Sequence, residues 1–172
     1  MAIWQFGVIL IPESAILAEC EALPASIPME MTDHSWWTKQ QPPRGFEKQI
    51  DLILSETKSW SEEMRIWESE SRNDAHVCYS DTEKKVVEEI AFRLDARDPS
   101  LDLIRMICGL AAQLSCVLLT ADSDVLQPFE SVVLAAIHNS TAAKFVNDPV
   151  CDSRSMHVRI VRRSSSPSLN SE

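Results

Sequence analysis

At 172 residues with 45% hydrophobic content and a formal net charge of −10, the chain suits one domain that buries about 70% of its unfolded surface. The charge argues against nucleic acid and anionic membrane as partners. It is also uneven: from Val150 onward Arg154, Arg159, Arg162 and Arg163 outnumber Asp152 and Glu172, which leaves −12 on the first 149 residues. Such a body would draw a basic protein; the plainer reading is that the charge only keeps the domain soluble.

The run Ile3 to Ile11 is β-branched and aromatic and apolar on both faces, which predicts a central strand covered on both sides. Pro12 and Glu13 end it well short of the roughly 20 residues of a membrane helix, and no basic leader precedes it, so neither secretion nor membrane insertion is expected. Ile16, Leu17, Cys20 and Leu23 then share one stripe of a helix of about three turns that starts at Pro12 and closes at Pro24. From Ala25 to Arg44 the prolines Pro28, Pro42 and Pro43 and the pair Trp36-Trp37 predict an irregular surface connection of about 20 residues. Phe46, Ile50, Ile53 and Leu54 restore helical spacing up to about Ser55.

Three strands follow: Met64 to Trp67, Ala75 to Tyr79, and Val86 to Asp95. Asn73-Asp74 and Ser80-Asp81 supply turn chemistry between them, and connections this short make the strands antiparallel. Asp98-Pro99 predicts a capped helix start. Behind it, Leu103, Ile107, Leu110 and Leu114 form one apolar row and Ile104, Cys108 and Ala111 another. Cys116 to Leu119 reads as a strand, Val125-Leu126 as a return stub, and Val132, Val133, Ala136 and Ile137 as a helix that Ala142 to Val146 extend or follow. Beyond Asp148-Pro149, the arginine- and serine-rich stretch 150–172 reads as a disordered tail, with Met156 to Val161 as an alternative edge strand. The expected fold is therefore α+β: one domain over residues 1–149, with a mostly antiparallel sheet of five or six strands and helices packed on it.

The cysteines Cys20, Cys78, Cys108, Cys116 and Cys151 are odd in number and scattered, as in the reduced core of a cytoplasmic protein. His76 and Cys78 share a strand face but have no Cys-x-x-Cys or His-x-x-x-His companion, so no metal site is expected. Isolated glycines exclude a phosphate-cradling loop, and His34, His76, His138 and His157 lack a nucleophile context. No catalytic residue and no cofactor are assigned.

The candidate partner-binding residues are aromatic and charged. If Met64, Ile66, Ala75, Val77 and Tyr79 face the core, the opposite face gathers Arg65, Trp67, His76, Cys78, Ala91 and Arg93, a composition typical of interaction hot spots. The alternative is that this face is covered and Trp67 is core. Arg93, Asp95 and Arg97 form an exposed row of alternating charge. Trp36 and Trp37 point opposite ways, so one docks on the body and the other is free to be exposed. Trp60 reads as a packing anchor.

The succession Ser59-Trp60-Ser61, Ile66-Trp67, Asn73-Asp74, Glu89-Ile90, Arg93-Leu94-Asp95 and Arg97 resembles a small bacterial α+β family of unsettled function, some of whose members are similar to immunity proteins that neutralise a cognate toxin. The likeness spans mainly residues 46–148 and carries no catalytic signature, and the tail from Val150 departs from it. It implies a non-enzymatic binding domain whose acidic surface occludes a basic toxin site. Two other readings stand beside it: a small hydrolase-like enzyme with a cleft around His76, Arg93 and Asp95, and a homodimer with Trp67 buried across the two-fold axis.

Overall fold

A computed structural model describes residues 2–28, 31, 36–81, 83 and 86–147. The expected tail at 150–172, including the alternative edge strand at Met156 to Val161, lies outside the described residues, as do His34 and His157. The elements in chain order are β1 (Gln5–Pro12), α1 (Glu13–Leu17), α2 (Glu47–Ile50), β2 (Ser55–Thr57), β3 (Met64–Glu68), β4 (Asp74–Asp81), β5 (Val86–Asp95), α3 (Leu101–Gln113), β6 (Cys116–Thr120), β7 (Val125–Leu126), α4 (Glu130–Asn139) and α5 (Thr141–Asn147). The α+β architecture is as expected, but the sheet has seven strands in the order β2-β3-β4-β5-β1-β6-β7. Every neighbouring pair is antiparallel.

Alternation along the central strands explains the layering. Phe6, Val8 and Leu10 of β1 join Cys116 and Leu118 of β6 in the main core with α3, α4 and α5. The intervening Ile11, Val117 and Leu119 join a second cluster on the other face with Ile16, Ile27 and Trp36, and Ile9 packs against it. Both strands are therefore apolar on both faces because both faces are covered. The capped helix start is confirmed with a shift: Ser100, not Asp98, is the N-cap of α3, its side chain accepting from the Leu103 N–H.

The first helix is one short turn, not three. Beyond it the chain leaves helical geometry to pair with the far edge of the sheet, where Ile27 N–H donates to Ser123 O, Val125 N–H donates to Ala25 O, and Ser26 bridges Asp124. Cys20 and Leu23 still pack on the second cluster, so their apolar spacing reported burial without helix. The described residues of the following stretch are anchored, where a loose surface connection was expected. Trp36 and Trp37 do point opposite ways, but both are buried: Trp36 enters the second cluster, while Trp37 enters the main core and donates Nε1–H to Leu10 O at 3.1 Å. Gln41 extends the same anchorage, its amide accepting from Val87 N–H at 2.7 Å and donating to Val87 O at 3.0 Å, as a neighbouring strand would.

The register of β3 overturns the expected face assignment. Trp67 lies opposite Ala75 and Arg65 opposite Val77, while Ile66 lies opposite His76 and Met64 opposite Cys78. This is a shift of one residue from the expected pairing, and such a shift exchanges the two faces of a strand. Trp67 is therefore core, 0% exposed, and donates Nε1–H to Asp51 Oδ1 at 2.7 Å. The larger apolar surface of the indole goes inward, and Met64 and Ile66 remain half-buried on the outer face. Trp67 is also sealed by its own chain, which removes the two-fold burial expected of a homodimer. Trp67→Ala is expected to cost about 3–5 kcal/mol, whereas Trp60→Ala, at a fully solvated indole, should stay within about 0.5 kcal/mol. Urea unfolding midpoints of the two variants test the contrast.

Candidate functional site

A concavity of about 840 Å³ lies between the Pro42-Pro43-Arg44-Gly45 segment, α2, Arg65 of β3, Glu83, and Val86 and Val87 of β5. Gly45 holds φ at +82°, a left-handed conformation that glycine adopts at least cost, and so turns the chain into α2. That turn places Glu47 in the wall, buried, where it accepts from the Tyr79 hydroxyl at 3.2 Å and faces Arg65 Nη1 at 3.6 Å. Arg65 in turn grips Glu56 of β2 with Nε and Nη2, both at 2.7 Å, and its guanidinium lies 4.8 Å from the Trp67 ring centroid.

This network is self-satisfied. Burial, followed by the Glu47 charge and hydrogen bond, pushes the Tyr79 phenol up to about 12. The hydrogen bonds that Arg65 donates to Glu56 raise the pKa of its guanidinium. Glu47, Glu56, Arg65 and Tyr79 are thus paired with one another, and the phenol is protonated at neutral pH. The role of the network is to lock β2, β3 and α2 together at one end of the sheet.

The sequence-derived candidates do not converge. His76 Nε2 pairs with Glu89 Oε1 at 2.8 Å, Arg93 Nε with Asp74 Oδ1 at 2.5 Å, and Asp95 with Arg97. They form one hydrogen-bonded pair and two ion pairs with separate partners, and none of the three candidates lines the large cleft. Among the described residues, the three expected members of an enzyme cleft are therefore held by separate partners and are not drawn together around this concavity. Asp95 is not an exposed member of a charged row but is buried; its backbone N–H donates to Asn73 Oδ1 and its carboxylate accepts from both the backbone and the guanidinium of Arg97. Trp36, Trp37 and Trp67 are interior and offer no partner an exposed indole. The resemblance-bearing Ser59-Trp60-Ser61, by contrast, lies on the loop between β2 and β3, with Trp60 84% exposed instead of anchoring the core.

The segment that carries Trp60 is acidic: residues 47–70 hold seven carboxylates against Lys48, Lys58 and Arg65, Glu47 among them buried. Glu62 and Glu63, which follow Trp60 in the chain, are exposed, and Leu52, earlier in the segment, is 81% exposed. β2 is the terminal strand of the sheet at this end, and all three of its residues are exposed. Large exposed apolar groups set among like charges are the composition of a contact surface. The sequence reading missed this because flanking serines look the same beside a packed indole and a solvated one.

On the outer face, His76, Cys78 and Glu89 form a second constellation, their donor atoms all within 4.8 Å of one another. Glu89 was invisible to a motif search, since it comes from β5, directly opposite Cys78 in the ladder. Among the described residues, no helix is long and apolar enough to cross a membrane. No family model, curated protein or solved structure matches this chain.

The Asp95–Arg97 pair predicts an acid dependence. Hydrogen bonding from the Arg97 side chain holds the Asp95 carboxyl below the usual aspartate range. A folded-state pKa below the unfolded value of about 3.9 stabilises the fold above that value, and the contribution is lost as pH falls through the folded one. Asp95→Asn should therefore be less stable than the parent near neutral pH and recover relative to it in acid, below about pH 4. Urea midpoints of both proteins across that range check the convergence.

Proposed function

We propose that the chain is a non-enzymatic protein-binding domain whose partner is a basic protein, the role of an immunity-type inhibitor that occludes a toxin's basic site. The single observation behind this reading is Trp60, an indole 84% exposed on the β2–β3 loop among exposed carboxylates. Tryptophan is enriched among residues that dominate binding energy, because one flat side chain can bury a large apolar area with little loss of conformational freedom. The neighbouring charges act differently. Glu62 and Glu63, with the surplus of carboxylates between residues 47 and 70, would steer a cationic surface toward the loop and raise the association rate more than the final affinity. The Glu47–Tyr79–Arg65–Glu56 network beside the large cleft supports this reading by holding the base of the loop in place.

A photo-crosslinking amino acid at position 60 tests the reading in cells, followed by kinetics on the purified adduct partner. The expected partner is a basic protein. Trp60→Ala should weaken its binding about tenfold or more, while the double variant Glu62→Gln, Glu63→Gln slows association and flattens its salt dependence. A captured partner that is acidic, or one whose binding is the same with all these variants, overturns the proposal.

A further inference from the structure

We propose that His76, Cys78 and Glu89 form a binding site for a borderline-soft divalent transition cation, with zinc as the best fit. The site rests on residues separate from the Trp60 loop, so it stands or falls independently of the binding function proposed above.

The backbone does most of the positioning. His76 and Cys78 are at i and i+2 on β4 and therefore project to the same face. The β4–β5 ladder sets Glu89 directly opposite Cys78 and Ala91 opposite His76. Ala91 is small and buried, so the imidazole has room to lean toward the neighbouring row, where its Nε2 meets Glu89 Oε1 at 2.8 Å. The donors thus sit on two adjacent, paired strands, just ahead of the register shift that follows Cys78.

The donor set selects the metal. An imidazole nitrogen, a thiolate sulfur and a carboxylate oxygen are the three ligand types that zinc takes, at about 2.0–2.3 Å. In a tetrahedron of that size the donor atoms stand roughly 3.3–3.7 Å apart. The three atoms here lie within 4.8 Å of one another, so small side-chain rotations bring them to a common centre: the carboxylate backs away from the imidazole and the sulfur closes in. A dication between thiolate and carboxylate leaves the cluster formally neutral, which suits a half-buried position. Magnesium and calcium, which prefer all-oxygen shells, fit poorly.

With three protein donors, the fourth position stays open. The side chains of His76 and Glu89 are 20% and 36% exposed, so that position faces outward, to be filled by water or an incoming ligand. Met64 is the ladder partner of Cys78 on β3 and shares its face. A cysteine thiol is ordinarily protonated at neutral pH, so zinc binding must expel its proton: the S–H bond is replaced by an S–Zn bond and the proton passes to buffer. Cys108 and Cys116 are buried in the main core, away from this face.

The test uses the full-length chain, stripped with a chelator and titrated with zinc by calorimetry in two buffers of different ionisation enthalpy, and separately with cobalt. The expected result is one cation per chain, close to one proton released per zinc, and with cobalt a near-ultraviolet thiolate charge-transfer band together with the intense visible absorption of a tetrahedral centre. His76→Ala, Cys78→Ser and Glu89→Gln should each weaken binding about tenfold or more, with Cys78→Ser also abolishing the charge-transfer band. Cys20→Ser should leave both unchanged. Far-ultraviolet circular dichroism confirms that each variant is folded, and Cys78→Ala replaces any that is not. Absence of stoichiometric zinc binding by the parent chain, or binding and a cobalt band that persist in Cys78→Ser or Cys78→Ala, overturns the site.

Discussion

Burial of β1 on both faces is the constraint on which the rest of the structure depends. A strand whose odd and even positions are both apolar cannot rest on a two-layer fold; it needs cover above and below. The chain supplies that cover asymmetrically. Helices α3, α4 and α5 close one side with the main core, while α1, residues 25–27 and Trp36 close the other over β1 and β6. The second layer is built mostly from irregular chain, so its order rests on tertiary anchors such as the strand-like bonds to 123–125 and the buried indoles at 36 and 37.

Toward the other end of the sheet the two faces differ. On the inner face, Trp67, Ala75, Val77, Tyr79, Ile90 and Phe92 continue the main core. The outer positions of the same strands carry Met64, Ile66, His76, Cys78, Glu89 and Arg93, all half-exposed. His76, Glu89 and Arg93 retain partial hydration there, so the His76–Glu89 hydrogen bond contributes modestly to stability, while Arg93 pairs with the buried Asp74. Their value lies in orientation, because a rigid ladder holds donor atoms of different chemistry at fixed spacing without any loop to order.

The Trp60 loop is the counterpart of that rigid face. It projects from the strand pair that the Glu47–Tyr79–Arg65–Glu56 network clamps to α2. Partly buried charges in such a network are costly to desolvate, and replacing them by apolar groups need not destabilise the fold. What they do is specify one arrangement, tying a three-residue edge strand, a four-residue helix and a proline-rich turn into one unit. For the proposed binding role, an exposed indole on that unit would lose less freedom on docking than one on a loose loop.

The α+β class, the antiparallel meander, the doubly buried β1 and the two apolar rows of α3 were all legible in the sequence, because each follows from local periodicity: two residues for a strand, 3.6 for a helix, and short connections for antiparallel pairing. The face of β3 was not, since a one-residue slip changes no local preference and is settled only by whether Trp67 or the pair Met64 and Ile66 meets the helices. The same holds for Cys20 and Leu23, whose spacing suits a helix that long-range hydrogen bonds replace, and for Trp36 and Trp60, whose burial depends on what distant chain covers them. The meeting of Glu89 with His76 and Cys78 is likewise tertiary. Periodicity is written in neighbouring residues, whereas register, cover and convergence are decided by free-energy differences between packings that no short segment contains.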